Sequence, residues 1–233
     1  MERNFEALDH LNGLFYTGGP DQPGDYNNFA EEIFNYVLKK NDEGQYFPIW
    51  GTCLGFEDLA FFIGGDDILT EHVLEGVYTN VRFTEDPATT KMFGELGDEA
   101  YVYEDNSLFY QAHEWAVSIE DFDEKLSYFY TATSVSVDDA GEEFIQTMEG
   151  KDYPVFATLF HAEKTQFAFW PDAPINHSRT YVEKNRYFAD FFVGEARKNL
   201  NTFGSFEEEQ AWQIENYEEI LVEGYFDKIY VFR

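Results

Sequence analysis

A short apolar strand that turns through glycines into a helix restricts the fold of this chain more than any other feature. Residues 47–50 (FPIW) have the composition of a strand, and residues 56–63 predict a short helix that stops at a Gly-Gly pair. Upstream, residues 13–17 predict a first strand and residues 28–40 a longer helix. A strand, a crossover helix and a second strand form a βαβ unit, which predicts a parallel sheet.

The longer helix is amphipathic, with acidic residues in its first turn and lysines in its last. The apolar positions on its one face are Phe29, Ile33, Phe34, Val37 and Leu38. Short apolar patches at residues 68–108 fit strands or loops equally well. The remaining patterns predict a hairpin of residues 128–137 and 143–148 around the turn 138–141, a strand at 155–160, an amphipathic helix at 181–198, an acidic helix near 206–219 and a last strand near 228–232.

These elements predict an α/β fold with a mostly parallel central sheet flanked by helices and an antiparallel hairpin added to it. With 233 residues, 44% of them hydrophobic, the chain can bury one substantial core. We expect a single domain at residues 1–233, with residues 200–233 as an acidic C-terminal extension packed on it. A membrane span needs roughly eighteen consecutive apolar residues, and the sequence has no such run. Its first residues, MERN, lack the apolar stretch of a secretory signal.

The charge balance limits the partners of the chain. It has 46 acidic and 15 basic residues, a formal net charge of −31. Long-range repulsion therefore disfavours nucleic acids and anionic membrane surfaces, and we expect neither as a partner. For most of these acidic residues the simplest interpretation is a charged surface that maintains solubility.

Cys53, the only cysteine, lies where the predicted strand at 47–50 turns into the helix. Unpaired N–H groups and the positive end of a helix dipole favour the thiolate, the form of cysteine that attacks carbonyls. His161 and Glu163 follow the predicted strand at 155–160, so a nucleophile, a base and an orienting group are all available. Such groups gather at the carboxyl ends of strands in open α/β sheets. Taken singly, a lone cysteine is more often a small buried side chain.

The glycine-rich turn around Cys53 resembles a nucleophile elbow. Such a turn exposes its side chain and aims the next backbone N–H, here that of Leu54, at an oxyanion. Gly18 or Gly19, just after the first predicted strand, would supply the second donor, and we take Gly19 as the candidate. Histidines and acidic residues do not repeat at the spacing of metal ligands, so we expect no metal site.

Four parts of the chain resemble one known family. They are Trp50–Glu57 (WGTCLGFE), Thr147–Gly150 (TMEG) with Tyr153–Val155 (YPV), His161–Lys164 (HAEK) and Phe191–Lys198 (FFVGEARK). They are similar to the γ-glutamyl hydrolases, the folate polyglutamate peptidases of the class I glutamine amidotransferase superfamily. This resemblance implies a flavodoxin-like fold, cleavage of γ-glutamyl isopeptide bonds in folyl or antifolyl poly-γ-glutamates, and no cofactor.

The resemblance also implies residue roles. Cys53 would be the nucleophile that forms a thioester, His161 the base and Glu163 the group that fixes the imidazole. The residues implied for substrate binding are Glu57, His113, Lys164 and His177. Each of these also fits the role of a structural or supporting polar group. The family usually acts in the lysosome or vacuole or after secretion, and an acidic chain suits that location.

Three departures from the family pattern affect these expectations. Ala162 stands where the family usually has proline, and Phe160 replaces the usual tryptophan. The family also has about sixty further residues before the equivalent of Leu11, which supply an early strand, helix and strand, and without them we expect unpaired backbone groups beside the nucleophile strand. Either the sequence is shortened relative to the natural product, or a homodimer or a partner chain completes the sheet, or the chain is a degenerate relative with a structural role.

Two other functions remain open from sequence. One alternative is another glutaminase-type hydrolase of the superfamily, and the other is a noncatalytic structural or interaction protein on the same fold. Asn176–Ser178 (NHS) is in addition an N-glycosylation sequon, which has meaning in a secreted protein.

Overall fold

A computed structural model of the protein describes residues 5–20, 25–170, 173–222 and 228–232. Its α-helices are α1 (Asp25–Asp42), α2 (Leu54–Gly64), α3 (Val102–Asp105), α4 (Ile119–Asp121), α5 (Lys164–Phe167), α6 (Arg179–Ala196) and α7 (Phe206–Ala211). Its strands are β1 (Leu14–Tyr16), β2 (Ile49–Thr52), β3 (Thr70–Thr79), β4 (Arg82–Phe83), β5 (Phe109–Ala116), β6 (Tyr130–Val137), β7 (Glu143–Gly150), β8 (Val155–Thr158), β9 (Glu218–Leu221) and β10 (Lys228–Val231). None of the helices in these ranges is long and apolar enough to cross a bilayer.

The largest sheet has six strands in the order β1-β2-β8-β7-β6-β4. Its site-bearing strands β1, β2 and β8 run parallel, whereas β7, β6 and β4 add antiparallel pairs. This confirms the predicted α/β fold with parallel central strands and an added hairpin. Two further sheets have two strands each, one of β3 with β5 and one of β9 with β10.

The strand that leads to Cys53 is paired on both sides. Trp50 of β2 lies opposite Phe15 of β1 and opposite Phe156 of β8. The expectation of unpaired backbone groups beside the nucleophile strand is therefore wrong, because residues just after Leu11 supply the neighbour that we thought was missing. Among the described strands, β1 forms that edge of the sheet.

The core lies on both faces of this sheet, because alternate residues of a strand point to opposite faces. Ile49, Val155 and Ala157 belong to the cluster that packs with α1 and α2. Trp50 and Phe156 belong to a second cluster with the aromatic residues of α6. The sheet is thus covered by helices on both faces, as a parallel sheet requires.

Most predicted elements are present, with boundaries that shift by a few residues. The apolar face predicted for α1 is correct for Phe34 and Val37, which are buried, but Phe29 is 38% exposed and stacks on Phe5. The ambiguous region 68–108 contains β3 and β4. The acidic helix predicted near 206–219 is shorter, since α7 ends at Ala211.

The C-terminal region contacts the rest of the chain at His10. Its ring stacks on Phe203, with centroids 5.2 Å apart, and its Nδ1 lies 3.0 Å from the carbonyl oxygen of Thr202. Most described side chains between residues 203 and 221 are exposed. The division of the chain into one domain and an acidic extension stays a prediction.

Helix α2 approaches the sheet so closely that two glycines are required. A Cβ on Gly51 would lie 2.4 Å from the carbonyl oxygen of Gly55, and a Cβ on Gly55 would lie 2.1 Å from that of Tyr16. Both distances are far shorter than van der Waals contact. The glycines that flank Cys53 therefore bring the first turn of α2 against β1 and β2, and this fixes the position of the thiol.

We predict that Gly55→Ala destabilises the protein, because the new Cβ would force the backbone of α2 away from Tyr16. Overpacking of this kind costs about 1–3 kcal/mol, or more where backbone has to move. Gly194→Ala is the matched control, since a Cβ there meets nothing within 4 Å and replacing a helical glycine should stabilise by about 0.5–1 kcal/mol. Urea denaturation measures both free energies of unfolding. A Gly55→Ala protein as stable as the wild type would contradict the close packing.

Candidate active site

Cys53 occupies a sharp turn between β2 and α2. Its backbone has φ = 51° and ψ = −111°, and it is the only non-glycine residue with positive φ in the described ranges. Its N–H donates to the carbonyl oxygen of Thr158 at 3.0 Å, and its own carbonyl accepts from the N–H groups of Phe56 and Glu57. A conformation that L-residues disfavour persists only where surrounding contacts impose it, and such strain is concentrated at functional sites. The turn has the features of a nucleophile elbow.

His161 reaches the same point from the neighbouring strand. It follows β8, and its backbone N–H donates to the carbonyl oxygen of Tyr110 at 2.9 Å. The side chain is buried, its Nδ1 lies 2.6 Å from Glu163 Oε1, and a Cβ on Gly18 would contact both its Cε1 and the Cβ of Cys53. The structure therefore brings the three residues predicted as nucleophile, base and orienting group into one series, in which His161 is hydrogen-bonded to Glu163 and adjacent to Cys53.

The charges of this series favour a protonated imidazole. Burial alone would lower the pKa of His161, but hydrogen bonds to Cys53 and Glu163 outweigh burial and raise it well above the ordinary value of 6.5. Burial disfavours the Glu163 carboxylate, yet the hydrogen bond from His161 lowers the pKa of Glu163, whose side chain is 47% exposed. A raised histidine pKa stabilises the folded protein below the ordinary pKa, and this contribution is lost as the pH rises through the folded-state value.

Two glycines after β1 lie against the predicted nucleophile and base. A Cβ on Gly18 would be 2.8 Å from Cε1 of His161 and 3.4 Å from the Cβ of Cys53, so any side chain there would displace the imidazole. Gly19 lies beside Leu54, because its Cβ would be 3.7 Å from Leu54 Cδ2. Leu54 is the first residue of α2, and the N–H groups of a first helical turn have no acceptor within the helix. The two predicted oxyanion donors thus lie on adjacent segments next to the thiol.

The third wall of the site is β5, which belongs to the small sheet. The Cys53 thiol lies 3.6 Å from the carbonyl oxygen of Ala112, and Tyr110 holds the backbone of His161 as described above. Sequence reasoning missed both residues, because a backbone carbonyl can come from any residue type. The only sequence signal for β5 was His113, which follows Ala112.

His113 is buried beside Ala112, and neither of its ring nitrogens has a hydrogen-bond partner. Burial, together with the nearby histidines His161 and His72, lowers its pKa from 6.5 to about 4, against a smaller opposing effect of the His72 and Trp115 carbonyls. The imidazole is therefore neutral at physiological pH. A buried ring with two unsatisfied nitrogens is the kind of group that a ligand or a water molecule would complete.

Lys164, also predicted for substrate binding, lies close to Glu163. Lys164 Nζ lies 3.9 Å from Glu163 Oε1 and 4.3 Å from the centre of the Trp170 ring. Burial lowers the pKa of Lys164, and the charges of Glu163, Cys53 and Glu75 act in the opposite direction. The ammonium group therefore lies next to the carboxylate that is hydrogen-bonded to His161.

Glu57 and His177 lie on two other segments of the chain. Glu57 lies in the first turn of α2 and is partly buried. The His177 ring stacks on Phe169, with centroids 4.4 Å apart, and its Nδ1 lies 3.0 Å from the carbonyl oxygen of Thr165. His177 thus packs on the segment that follows His161.

The two local departures from the family pattern leave the site intact. Phe160 stacks on Phe109 of β5, with ring centroids 3.9 Å apart and an interplanar angle of 19°, so the aromatic wall before His161 is kept. Ala162 keeps a turn in which its carbonyl accepts a hydrogen bond from Thr165 Oγ1. Within the described ranges, no three His, Cys, Asp or Glu side chains are grouped so as to hold a metal ion.

We predict that Glu163→Gln lowers the pKa of His161, because the variant loses the carboxylate that favours the imidazolium. In the wild type the ring should stay protonated between about pH 5 and pH 8, whereas in the variant it should begin to titrate in that interval. NMR of protein with ¹³C-labelled histidine measures this directly. The control variant Glu183→Gln removes an exposed carboxylate from α6 and should leave the pKa of His161 unchanged. A wild-type His161 that titrates at its ordinary value would contradict the prediction.

Comparison with known proteins agrees with this geometry. The family "Glutamine amidotransferase class-I" matches residues 1–172. Human γ-glutamyl hydrolase is 34% identical over 239 aligned positions, which cover 99% of this chain and 75% of the human protein. γ-Glutamyl hydrolase 2 of Arabidopsis thaliana is 31% identical, with 84% of this chain and 58% of that protein covered.

A solved structure shows the same fold at a greater distance. The glutaminase domain of Trypanosoma brucei CTPS, determined with bound acivicin, superposes with a TM-score of 0.50 at 16% identity, over 83% of this chain and 74% of that chain. At this identity the likeness concerns the fold alone. The family match and the human and plant relatives decide the assignment: this chain belongs to the γ-glutamyl hydrolases, within the class I glutamine amidotransferase family.

Proposed function

We propose that this chain hydrolyses γ-glutamyl isopeptide bonds in folyl and antifolyl poly-γ-glutamates through a thioester on Cys53. Its relatives are γ-glutamyl hydrolases, so the reaction class is hydrolysis of γ-glutamyl bonds. The observation that supports the cysteine mechanism is the series of Cys53, His161 and Glu163 at the carboxyl ends of β2 and β8. A noncatalytic protein would have no need of a strained cysteine against a charged histidine.

In the first half of the reaction the Cys53 sulfur attacks the γ-carbonyl carbon. The sulfur–carbon bond forms as the carbonyl electrons move onto oxygen, and the N–H groups of Leu54 and Gly19 stabilise this oxyanion. When the carbonyl re-forms, the carbon–nitrogen bond breaks and His161 gives its proton to the leaving amine. Glu163 keeps the imidazole oriented throughout.

In the second half water replaces the amine. His161, now neutral, takes a proton from the water as its oxygen attacks the thioester carbon. The sulfur–carbon bond then breaks, the γ-carboxylic acid leaves, and the thiolate and imidazolium are restored. Every proton that His161 gives in the first half is regained in the second.

Substrate binding in this proposal uses the polar groups next to the thiol. A γ-linked glutamate carries a free α-carboxylate, and Lys164 places an ammonium group next to Glu163, with Nζ 3.9 Å from Oε1. His113 offers a neutral ring with two free nitrogens. Glu57 and His177 stay candidates for contacts with the remaining polar groups of the substrate.

We further propose, from the resemblance, a lysosomal, vacuolar or secreted location. We also propose an assembly in which a second copy or a partner chain pairs with β1. The second proposal is supported by the position of β1 at the edge of the described sheet and by Phe15 on it, which is 48% exposed. Edge strands offer unpaired N–H and C=O groups to another strand.

We predict that the purified protein shortens pteroyl-pentaglutamate and that Cys53→Ala does not. Loss of the nucleophile should reduce the rate by about a thousandfold or more, because no other group can form the thioester. Chromatography of the products measures the chain lengths, and circular dichroism establishes that the variant is folded. If wild type and folded variant are equally inactive on this substrate, the proposal is wrong. Wild-type activity on glutamine only would instead indicate a glutaminase.

We predict that salt increases kcat/KM for long polyglutamate tails. The net charge of −31 repels an anionic substrate, and raising the ionic strength from about 0.01 M to 0.15 M shortens the Debye length from about 30 Å to 8 Å. Pteroyl-diglutamate, which carries fewer charges, is the matched control and should respond less. Equal salt responses of the two substrates would show that the field of the protein has no part in binding.

A further inference from the structure

A second buried histidine–carboxylate pair lies outside the series described above. His72 Nδ1 is 2.8 Å from Asp138 Oδ2, and the two side chains are only 8% and 10% exposed. His72 belongs to β3, whereas Asp138 follows β6 in the hairpin turn of the large sheet. Because carboxylates accept hydrogen bonds, Nδ1 of His72 carries the proton. The pair therefore joins the small sheet to the large one.

Both partners are held by further contacts. Asp138 Oδ1 accepts from the N–H groups of Ala140 and Glu142, each at 2.9 Å, so its carboxylate is fixed within the turn. His72 lies at a bulge: Glu71 pairs with Trp115 and Leu74 with His113, so two residues of β3 face one residue of β5. Bulges next to active sites redirect side chains and the strand itself.

The bulge lies directly across from the part of β5 that borders the candidate active site. Leu74, which ends the bulge, is paired with His113, and the next residue of β5 is Ala112, whose carbonyl contacts the Cys53 thiol. The ring of Phe144 lies 5.4 Å from the rings of both His72 and His113. A shift of His72 would therefore be passed on through strand pairing and through this aromatic contact.

We propose that His72 is a positioning residue: through its hydrogen bond to Asp138 it holds the bulge of β3 in place and so fixes Ala112 and His113 relative to Cys53. Among the described strands, β5 pairs in its sheet with β3, so β3 contributes to where β5 lies. The contacts of β5 with Cys53 and His161 thus depend in part on Asp138, in the turn between β6 and β7. His72 itself does not touch the thiol.

Two substitutions of His72 separate this role from a merely stabilising one. Asn places its amide nitrogen near the position of Nδ1 and can still donate to Asp138, whereas Gln places it near Nε2, away from the carboxylate. Both variants remain polar and have no added bulk. We expect His72→Asn to keep kcat within about threefold of the wild type, and His72→Gln to lose about 10- to 100-fold in kcat with KM little changed, because small displacements of reacting groups are costly.

A second measurement is independent of the substrate. The rate at which iodoacetamide alkylates Cys53, followed against pH, reports the environment of the thiol whether or not polyglutamates are hydrolysed. His72→Gln should change this profile and His72→Asn should restore it. Tyr187→Phe is the control, since it removes the 2.7 Å hydrogen bond that Tyr187 of α6 donates to the Met92 carbonyl and should lower stability without altering the profile.

The results of these experiments either support or overturn the positioning role of His72. A changed alkylation profile in His72→Gln that His72→Asn restores supports the positioning role, even if no polyglutamate activity is found. If Asn and Gln variants behave alike, or if His72→Gln loses activity only in proportion to its unfolded fraction, as Tyr187→Phe would, the proposal is overturned.

Discussion

The juxtaposition of Cys53 and His161 is the constraint on which the rest of the site depends. The two residues are far apart in the chain but follow β2 and β8, which are adjacent and parallel, so their carboxyl ends meet at one edge of the sheet. Parallel pairing also connects the two strand ends directly, because the Cys53 N–H donates to the carbonyl oxygen of Thr158, the last residue of β8. The topology of the sheet thus places the backbones of Cys53 and His161 close together, so their side chains can meet without extending far.

The position of the thiol has a cost that the packing around it offsets. Positive φ at a non-glycine residue costs about 1–3 kcal/mol and persists only where neighbours impose it. Here the neighbours are the glycines at 51 and 55, which let α2 lie against β1 and β2. Burial adds a second cost, because desolvation disfavours the charged imidazolium of His161. The nearby Glu163 and Cys53 side chains outweigh this cost and favour the charged form.

The sequence allowed prediction of the features that local patterns determine. The strand before Cys53, the glycine turn, α2, the hairpin and α6 all follow from apolar periodicity and turn residues. The meeting of Cys53, His161 and Glu163 followed from the rule that reactive groups gather at strand ends. The resemblance to a family supported the same three positions. What the patterns did not reveal was the β3–β5 sheet, because its strands carry bulges at Glu71–Leu74 and Glu75–Val77 that break the alternation of apolar and polar residues.

That small sheet explains why the site needs more than the two strand ends. β2 and β8 bring the sulfur and the imidazole together, but the side of the thiol away from the large sheet is bordered by the carbonyl of Ala112, and the backbone of His161 is held by Tyr110. Both groups are on β5, which has its own strand partner and no ladder to the large sheet. Its position depends on a few contacts between the sheets, such as Ile145 N–H to the Val117 carbonyl and His72 with Asp138. Since a displacement of about 1 Å at reacting groups can reduce a rate a hundredfold, these few contacts matter to the chemistry although none of them reaches the substrate.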